Sequence, residues 1–426
     1  MNHRWLNFFL LIICSVVLIS VPGYWLIRSN EVNMSIQEGR WLNTFWGVKP
    51  SFQDFKTDTK RILDGQFDVA TSIFYGKWLT HSYQAGLEQA GMDQFPLRIP
   101  LINATKWVER RIIDLVSLFH KDAAVSTCLS CTTLVLRDAP ILLSPPGYFA
   151  DTMENAIDLR IENLDLIIDE NPETNFYVLY IDEIGQSTFH PLNSYFPHAD
   201  RGQSIQYFEQ NKPEKLVLEK WVIEDLSAYQ ELFYHTDHHW NTYGMWKAYE
   251  QIYHMLARSY PDIPPMLVPR GLPVLHGVEF CGSHIRSSFY PCVPDEFHYV
   301  DVDLPSYTVY VNGEEKQVGH QDEFLSGSFP LEKFSNVYGD FWGDDYALIE
   351  YHFEINSNRN LLLIGDSYSN SLDRFVASHY QNTYVVDLRF WKDYSIHEMI
   401  ETYQIDDVLI LGSPVVLYNE SWIINP

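Results

Sequence analysis

Basic residues are scarce in this chain: 29 lysines and arginines stand against 56 aspartates and glutamates, a formal net charge of −27. A body so acidic repels phosphate backbones, which argues against nucleic acid as a partner. The small basic group Lys106, Arg110 and Arg111 reads as the solvated side of a helix. Cysteine is sparse as well, with five in 426 residues. Cys14 falls in an apolar run, and the others form two local pairs, Cys128 with Cys131 and Cys281 with Cys292. A single CxxC unit says little about zinc, so each pair is either a disulfide of an oxidising compartment or two buried thiols. Internal repeats and low-complexity tracts are lacking, which argues against a solenoid. Only one long apolar run occurs, residues 5–27, and its 23 residues suffice to span about 30 Å of hydrocarbon. No small-x-small cleavage site follows it, so we expect a retained anchor in residues 1–32. Arg4 and the amino terminus favour a cytoplasmic tail, an asymmetry that Arg28 weakens, so the expectation is a single-pass membrane protein with an extracytoplasmic body.

What remains, residues 33–426, is long enough for a large core: the whole chain is 46% hydrophobic and 15% aromatic, which argues against disorder. Its organising stretch is residues 360–371, NLLLIGDSYSNS. Four apolar residues, 361–364, read as a short buried strand that stops at Gly365-Asp366. Apolar residues then recur at helical spacing as far as Tyr380, which sets Ser367 at a sharp turn from strand to helix. An activated hydroxyl is useful there, because it stands beyond the strand end while helix N-terminal N–H groups can face an oxyanion. Gly365 joins the candidate oxyanion and substrate residues on position alone. A nucleophilic serine needs a base, and Thr236-Asp237-His238-His239-Trp240-Asn241 offers one. Asp237 and His239, two apart, leave an extended or turn segment on the same side, whereas His238 is expected to point the other way. The competing readings are a surface loop and a metal site; adjacent residues rarely both reach one tetrahedral ion, and no spaced third ligand follows.

Together these motifs resemble the bacterial DHHW proteins and, more distantly, the alginate-acetylation proteins AlgX and AlgJ. The resemblance rests on Asp237-His238-His239-Trp240, on Gly365-Asp366-Ser367-Tyr368-Ser369 and on Val386-Asp387-Leu388-Arg389, and runs in element order over residues 38–419. It implies an SGNH hydrolase-like α/β domain in which Ser367 is the nucleophile, His239 the base and Asp237 the carboxylate that orients the base. With the expected anchor it favours O-acetylation of a surface polysaccharide, and it implies a multi-pass membrane acyltransferase as acyl supplier; separately, we expect no cofactor and no metal. In this chain the Asp-x-His segment precedes the serine by 128 positions, as in the alginate group, and the Gly-x-Asn-Asp oxyanion block of ordinary SGNH hydrolases is not apparent. The same triad would serve an esterase that lets water attack the acyl-serine. A non-catalytic glycan-binding or assembly protein could keep the fold.

Elsewhere the chain predicts a short helix over residues 61–74, a core-facing helical stripe from Ile102 to Leu118, and one strand within 131–143. A helix over 152–168 and a buried strand over 176–181 follow, an alternation that points to an α/β sheet. The loop 182–197 is a candidate substrate loop with His190 as a possible contact. Asn241 is placed to cap a helix through Leu256. Trp240 either lines the pocket or plugs the core. Residues 278–330, with the turn signal Asn312-Gly313, suggest a small β-rich insertion. Strands are expected at 384–388 and 406–411. Arg389 either pairs with Asp387 to brace the site or meets substrate.

Overall fold

The computed structural model describes residues 34–38, 40–43, 89–95, 97–119, 122–391, 395–419 and 424. The expected membrane anchor and the expected helix over 61–74 lie outside the described residues. Among those described, no helix is long and apolar enough to cross a membrane.

Contacts divide the chain into two compact units, residues 1–108 and 109–426. In the first, strands β1 (Met34–Ser35) and β2 (Arg40–Trp41) form an antiparallel ladder. Arg40 makes a paired ion contact with the buried Asp93, which also accepts from the Asn43 backbone and side chain. Burial opposes the Asp93 charge, but Arg40 and Asn43 outweigh it and hold its pKa low.

The second unit is mixed α/β. Strands β3 (Ala124–Ser126), β4 (Leu134–Leu136) and β5 (Leu142–Leu143) make a small antiparallel sheet. The single strand expected within 131–143 is therefore a hairpin, because Arg137-Asp138-Ala139-Pro140 turns the chain between its two apolar runs. The main sheet takes β6 (Asn175–Ile181), β7 (Val217–Trp221), β8 (Tyr307–Val311), β9 (Glu314–Glu315), β10 (Leu348–Phe353), β11 (Asn360–Gly365), β12 (Asn382–Val386) and β13 (Asp407–Gly412) in the order β7-β6-β13-β11-β12-β10-β8-β9. From β7 to β12 the strands run parallel, and β10 and β9 reverse direction.

Strand β11 is central because it is apolar on both faces, as a parallel strand covered by helices on each side must be. Leu361 and Leu363 enter one core, with the helix Thr242–Leu256 among its walls, and Leu362 and Ile364 enter the other, with the helix Asp151–Glu170. Each such fully buried leucine contributes about 1.5–3 kcal/mol. Asn241 caps the helix Thr242–Leu256 through its side-chain oxygen, which accepts from the N–H groups of Tyr243 and Gly244.

Two sequence expectations need correction. In the helix Arg98–Ser117 no residue is buried, and Val108, Ile112 and Val116 are exposed, so the stripe does not face a core of described residues. Residues 278–330 do not form a separate β-rich insertion. They are mostly irregular, and β8 instead joins the main sheet beside β10, with Val311 opposite Ile349. The two-residue turn between β8 and β9 does use Asn312 and Gly313, both at positive φ (51° and 81°), the geometry that favours these residue types.

Candidate active site

The C-terminal ends of parallel strands gather ligand-facing loops on one edge, and β11 ends there at Gly365. A Cβ on Gly365 would lie 2.2 Å from Ser369 Oγ, so only glycine lets the chain fold back this closely. This close packing accounts for Gly365, and nothing in its geometry assigns it a substrate contact. Asp366 then knits the turn together: its carboxylate accepts from the Tyr368 N–H (3.0 Å) and from both the N–H and hydroxyl of Ser413 at the end of β13. Ser367 projects from this braced turn and is half-buried. The long helix expected behind it is instead the 3-10 turn Ser369–Ser371 and the short helix Asp373–Ala377. Ser369 and Ser371 donate their hydroxyls to the backbone oxygens of Asp366 and Tyr368, local bonds that compete with regular helix.

Residues 233–241 form a pinched loop, closed by a bridge between Phe233 and Trp240 and by the bond from Asn241 N–H to the Leu232 carbonyl. This loop delivers His239, the candidate base. His239 Nε2 lies 2.8 Å from Ser367 Oγ, and His239 Nδ1 lies 2.6 Å from Asp237 Oδ1. Asp237 Oδ1 also accepts the His239 backbone N–H, and Asp237 Oδ2 accepts the Ser283 N–H at 2.6 Å. Asp237 and His239 are 1% and 6% exposed. Burial discourages the Asp237 charge, but the neighbouring His239 imidazole, the largest opposing influence, holds its pKa well below the usual carboxylate range. Tyr338 stacks on the His239 ring at 4.0 Å and donates its hydroxyl to the Ser367 carbonyl. The result is an oriented Asp-His-Ser relay, the constellation that activates a hydroxyl for acyl chemistry.

His238 does not point away as expected. The segment bends rather than extending, so the His238 ring packs 3.9 Å from that of His239 and its Nδ1 meets Ser283 Oγ at 2.8 Å. Asp237, His238 and His239 together place ligand-type atoms within 4.8 Å of one another. An ion seated on them would take a ring nitrogen of His239 that already meets Asp237 or Ser367, and so would compete with the relay.

Of the other sequence candidates, Trp240 is wholly buried, donates its Nε1–H to Ser371 Oγ and packs edge-on against Tyr368. It supports the serine turn from behind and does not line a pocket. Arg389 clamps Asp387 with its Nε and Nη2 and reaches Asp345 at 2.9 Å, which in turn accepts from Asn370 of the serine turn. It braces the site. His190 is buried with both ring nitrogens engaged, by the Ser144 carbonyl and the Leu192 N–H, and so holds its own loop rather than facing a substrate. That same loop carries Glu183, whose carboxyl is pushed up to about 8 by burial and by Asp366.

Sequence reasoning missed Gly282 and Ser283. A Cβ on Gly282 would lie 2.4 Å from Asp237 Cβ and 2.6 Å from the Thr236 carbonyl, so the glycine lets the Ser283 N–H reach the carboxylate. Disulfides join Cys281 to Cys292 beside this turn and Cys128 to Cys131 farther off. Gly282→Ala is therefore expected to lower turnover by about 10²-fold, because displacing the aspartate by an ångström misaligns the base. Ser283→Ala, which keeps the N–H, should leave more activity. Steady-state rates and melting curves for both variants check this, and a fully active Gly282→Ala protein would refute the cradle.

No family model matches the chain, and no curated protein matches it. Solved structures do. Two structures of PatB1 from Bacillus cereus, one of them with a sulfonyl adduct, match with a TM-score of 0.53 at 16% and 19% identity, over 69% and 68% of this chain and 98% and 99% of theirs. A DHHW family protein from Eubacterium siraeum matches with a TM-score of 0.53 at 18% identity, over 70% of this chain and 95% of the other. The structural neighbours thus include a member of the DHHW family that the sequence motifs resemble, and the likeness is one of fold.

Proposed function

We propose that this protein is a serine-dependent O-acyltransferase, in the first instance an O-acetyltransferase, that modifies hydroxyls of a cell-surface or secreted glycan from an SGNH hydrolase-like domain. The observation that carries this reading is the relay from Asp237 through His239 to Ser367. In the first half-reaction His239 takes the Ser367 proton, Oγ bonds to the acyl carbon, and the donor's leaving group departs with that proton. In the second, His239 takes a proton from a sugar hydroxyl, whose oxygen attacks the acyl carbon; the bond to Oγ breaks and Ser367 recovers its proton. A sulfonyl adduct such as the one PatB1 carries is the product an activated nucleophile gives with a sulfonylating reagent.

In this reading residues 5–27 tie the protein to the membrane and the body lies outside it, where the two disulfides are at home. A multi-pass membrane acyltransferase would hand over the acyl group. The charge of −27 disfavours a polyanionic acceptor and favours a neutral or amino-containing glycan. The test is to supply an acetyl donor with neutral, amino and acidic oligosaccharides and follow products by mass spectrometry. Acetylated sugar that requires Ser367 is the expected result. Free acetate alone across all three glycan classes, with unchanged surface acetylation after gene deletion, would turn the reading to an esterase.

A further inference from the structure

The relay explains one histidine of the pair, and the other is held with equal care. Tyr368 donates its hydroxyl to the His238 carbonyl at 2.6 Å, Ser283 Oγ meets Nδ1 at 2.8 Å, and the ring lies against that of the base His239. Backbone, ring nitrogen and ring face are thus all fixed. Yet the side chain is 39% exposed, in contrast to the buried Asp237 and His239 beside it, and no described residue bonds its Nε2. Burial of the inner edge and the neighbouring His239 push its pKa down, which keeps the ring neutral. A neutral imidazole with one nitrogen committed keeps the other for a single hydrogen bond, as donor or acceptor according to the tautomer. A sugar hydroxyl can answer either.

We propose that His238 Nε2 binds a second hydroxyl of the polyhydroxylated acceptor, next to the hydroxyl that His239 deprotonates, and so selects sugar over water as the group that receives the acyl chain. This role rests on the acyl-transfer reading above. A water can bridge the two rings through its own O–H groups but gains no more from His238 than from solvent, whereas a sugar held at His238 by one hydroxyl presents the neighbouring hydroxyl to His239. The chemical step is the second half-reaction already given: the proton of the attacking hydroxyl goes to His239 and then to Ser367 Oγ, and His238 neither gains nor loses one. A site that hydrogen-bonds a substrate hydroxyl discriminates against ligands that cannot fill it, because its polar atom is then left unpaired.

The experiment compares His238→Phe, which keeps a ring against His239 and removes both nitrogens, with His238→Gln, whose amide can reach the place of Nε2. Acylation of Ser367 by an activated acetyl ester is timed by intact mass, and the acyl-enzyme is then partitioned between an oligosaccharide and water. The expected result is that His238→Phe lowers the ratio of acetylated sugar to free acetate about tenfold, the size of one lost hydrogen bond, raises the acceptor KM and slows acylation much less. His238→Gln should restore most of the ratio. A wild-type ratio in His238→Phe, or equal losses in acylation and transfer, overturns the role. Should the phenylalanine variant fail to fold, His238→Asn, which can keep the Ser283 contact but falls short of Nε2, must show the same fall in ratio or the role is overturned. Wild-type protein that never forms an acyl-enzyme would sink the acyl-transfer reading and this role with it, an outcome separate from an unchanged ratio.

Discussion

Ser367→Ala is expected to remove the acetyl adduct predicted for the intact protein with an activated acetyl ester and to lower turnover on the order of 10⁶-fold. The expectation follows from where the oxygen sits. Ser367 Oγ is the atom within 2.8 Å of His239 Nε2, and the turn that presents it is fixed by Asp366, Ser413 and Tyr338. Alanine keeps every one of those backbone contacts, so the variant should fold and melt like the parent while losing its nucleophile. His239→Ala should fall almost as far, because members of one relay fail together rather than additively. Intact mass after incubation with the ester, with melting curves alongside, gives the answer directly. An undiminished adduct in Ser367→Ala would move the chemistry elsewhere, and no adduct on the parent under conditions that label a control esterase would favour the glycan-binding or assembly reading.

The parts of this site that were legible in the sequence are those whose signal is local. Residues 361–364 announce a buried strand by composition, Gly365-Asp366 announces its end, and Asn241 announces a helix start, each within a few positions. Asp237 and His239 are two apart, so their pairing needs only a bend. Gly282 and Ser283 are different. They meet Asp237 from 45 and 46 positions away, through a backbone N–H that every residue but proline possesses, and nothing in the spelling of Cys281-Gly282-Ser283 marks that contact. Trp240 and His190 failed as pocket residues for a related reason: an aromatic or imidazole beside a strand or helix end has the same sequence signature whether it faces inward or outward, and packing decides. His238 was misplaced because alternation holds for extended backbone, and residues 235–239 bend. The apolar stripe of Arg98–Ser117 shows the converse, since periodicity reports that a face is apolar and not what covers it.

Asp237→Asn should lower turnover by roughly 10⁴-fold while leaving the fold in place. All three groups that hydrogen-bond the Asp237 carboxylate are donors: the His239 ring Nδ1–H, the His239 backbone N–H and the Ser283 N–H. An asparagine has one accepting oxygen and one donating nitrogen, so one side of this arrangement must meet a donor with a donor. If the amide oxygen faces His239, the NH₂ group confronts the Ser283 N–H across a contact now 2.6 Å long, and the turn beside the Cys281–Cys292 disulfide must give way. If the oxygen faces Ser283, the NH₂ group donates to His239 Nδ1, which then carries its proton on Nε2. That tautomer presents a hydrogen to Ser367 Oγ and cannot accept one, so the base is lost although every heavy atom is in place. The burial that makes Asp237 an isolated, strongly held charge also keeps water from repairing either mismatch. Rates with an activated ester, read beside nitrogen-detected spectra of the His239 ring, separate the two cases: a switched tautomer shows the proton on Nε2, and a displaced turn shows the usual tautomer with altered Ser283 and disulfide signals. An Asp237→Asn protein within tenfold of the parent would mean that His239 does not depend on this carboxylate, and the base would have to be sought among the other groups around Ser367.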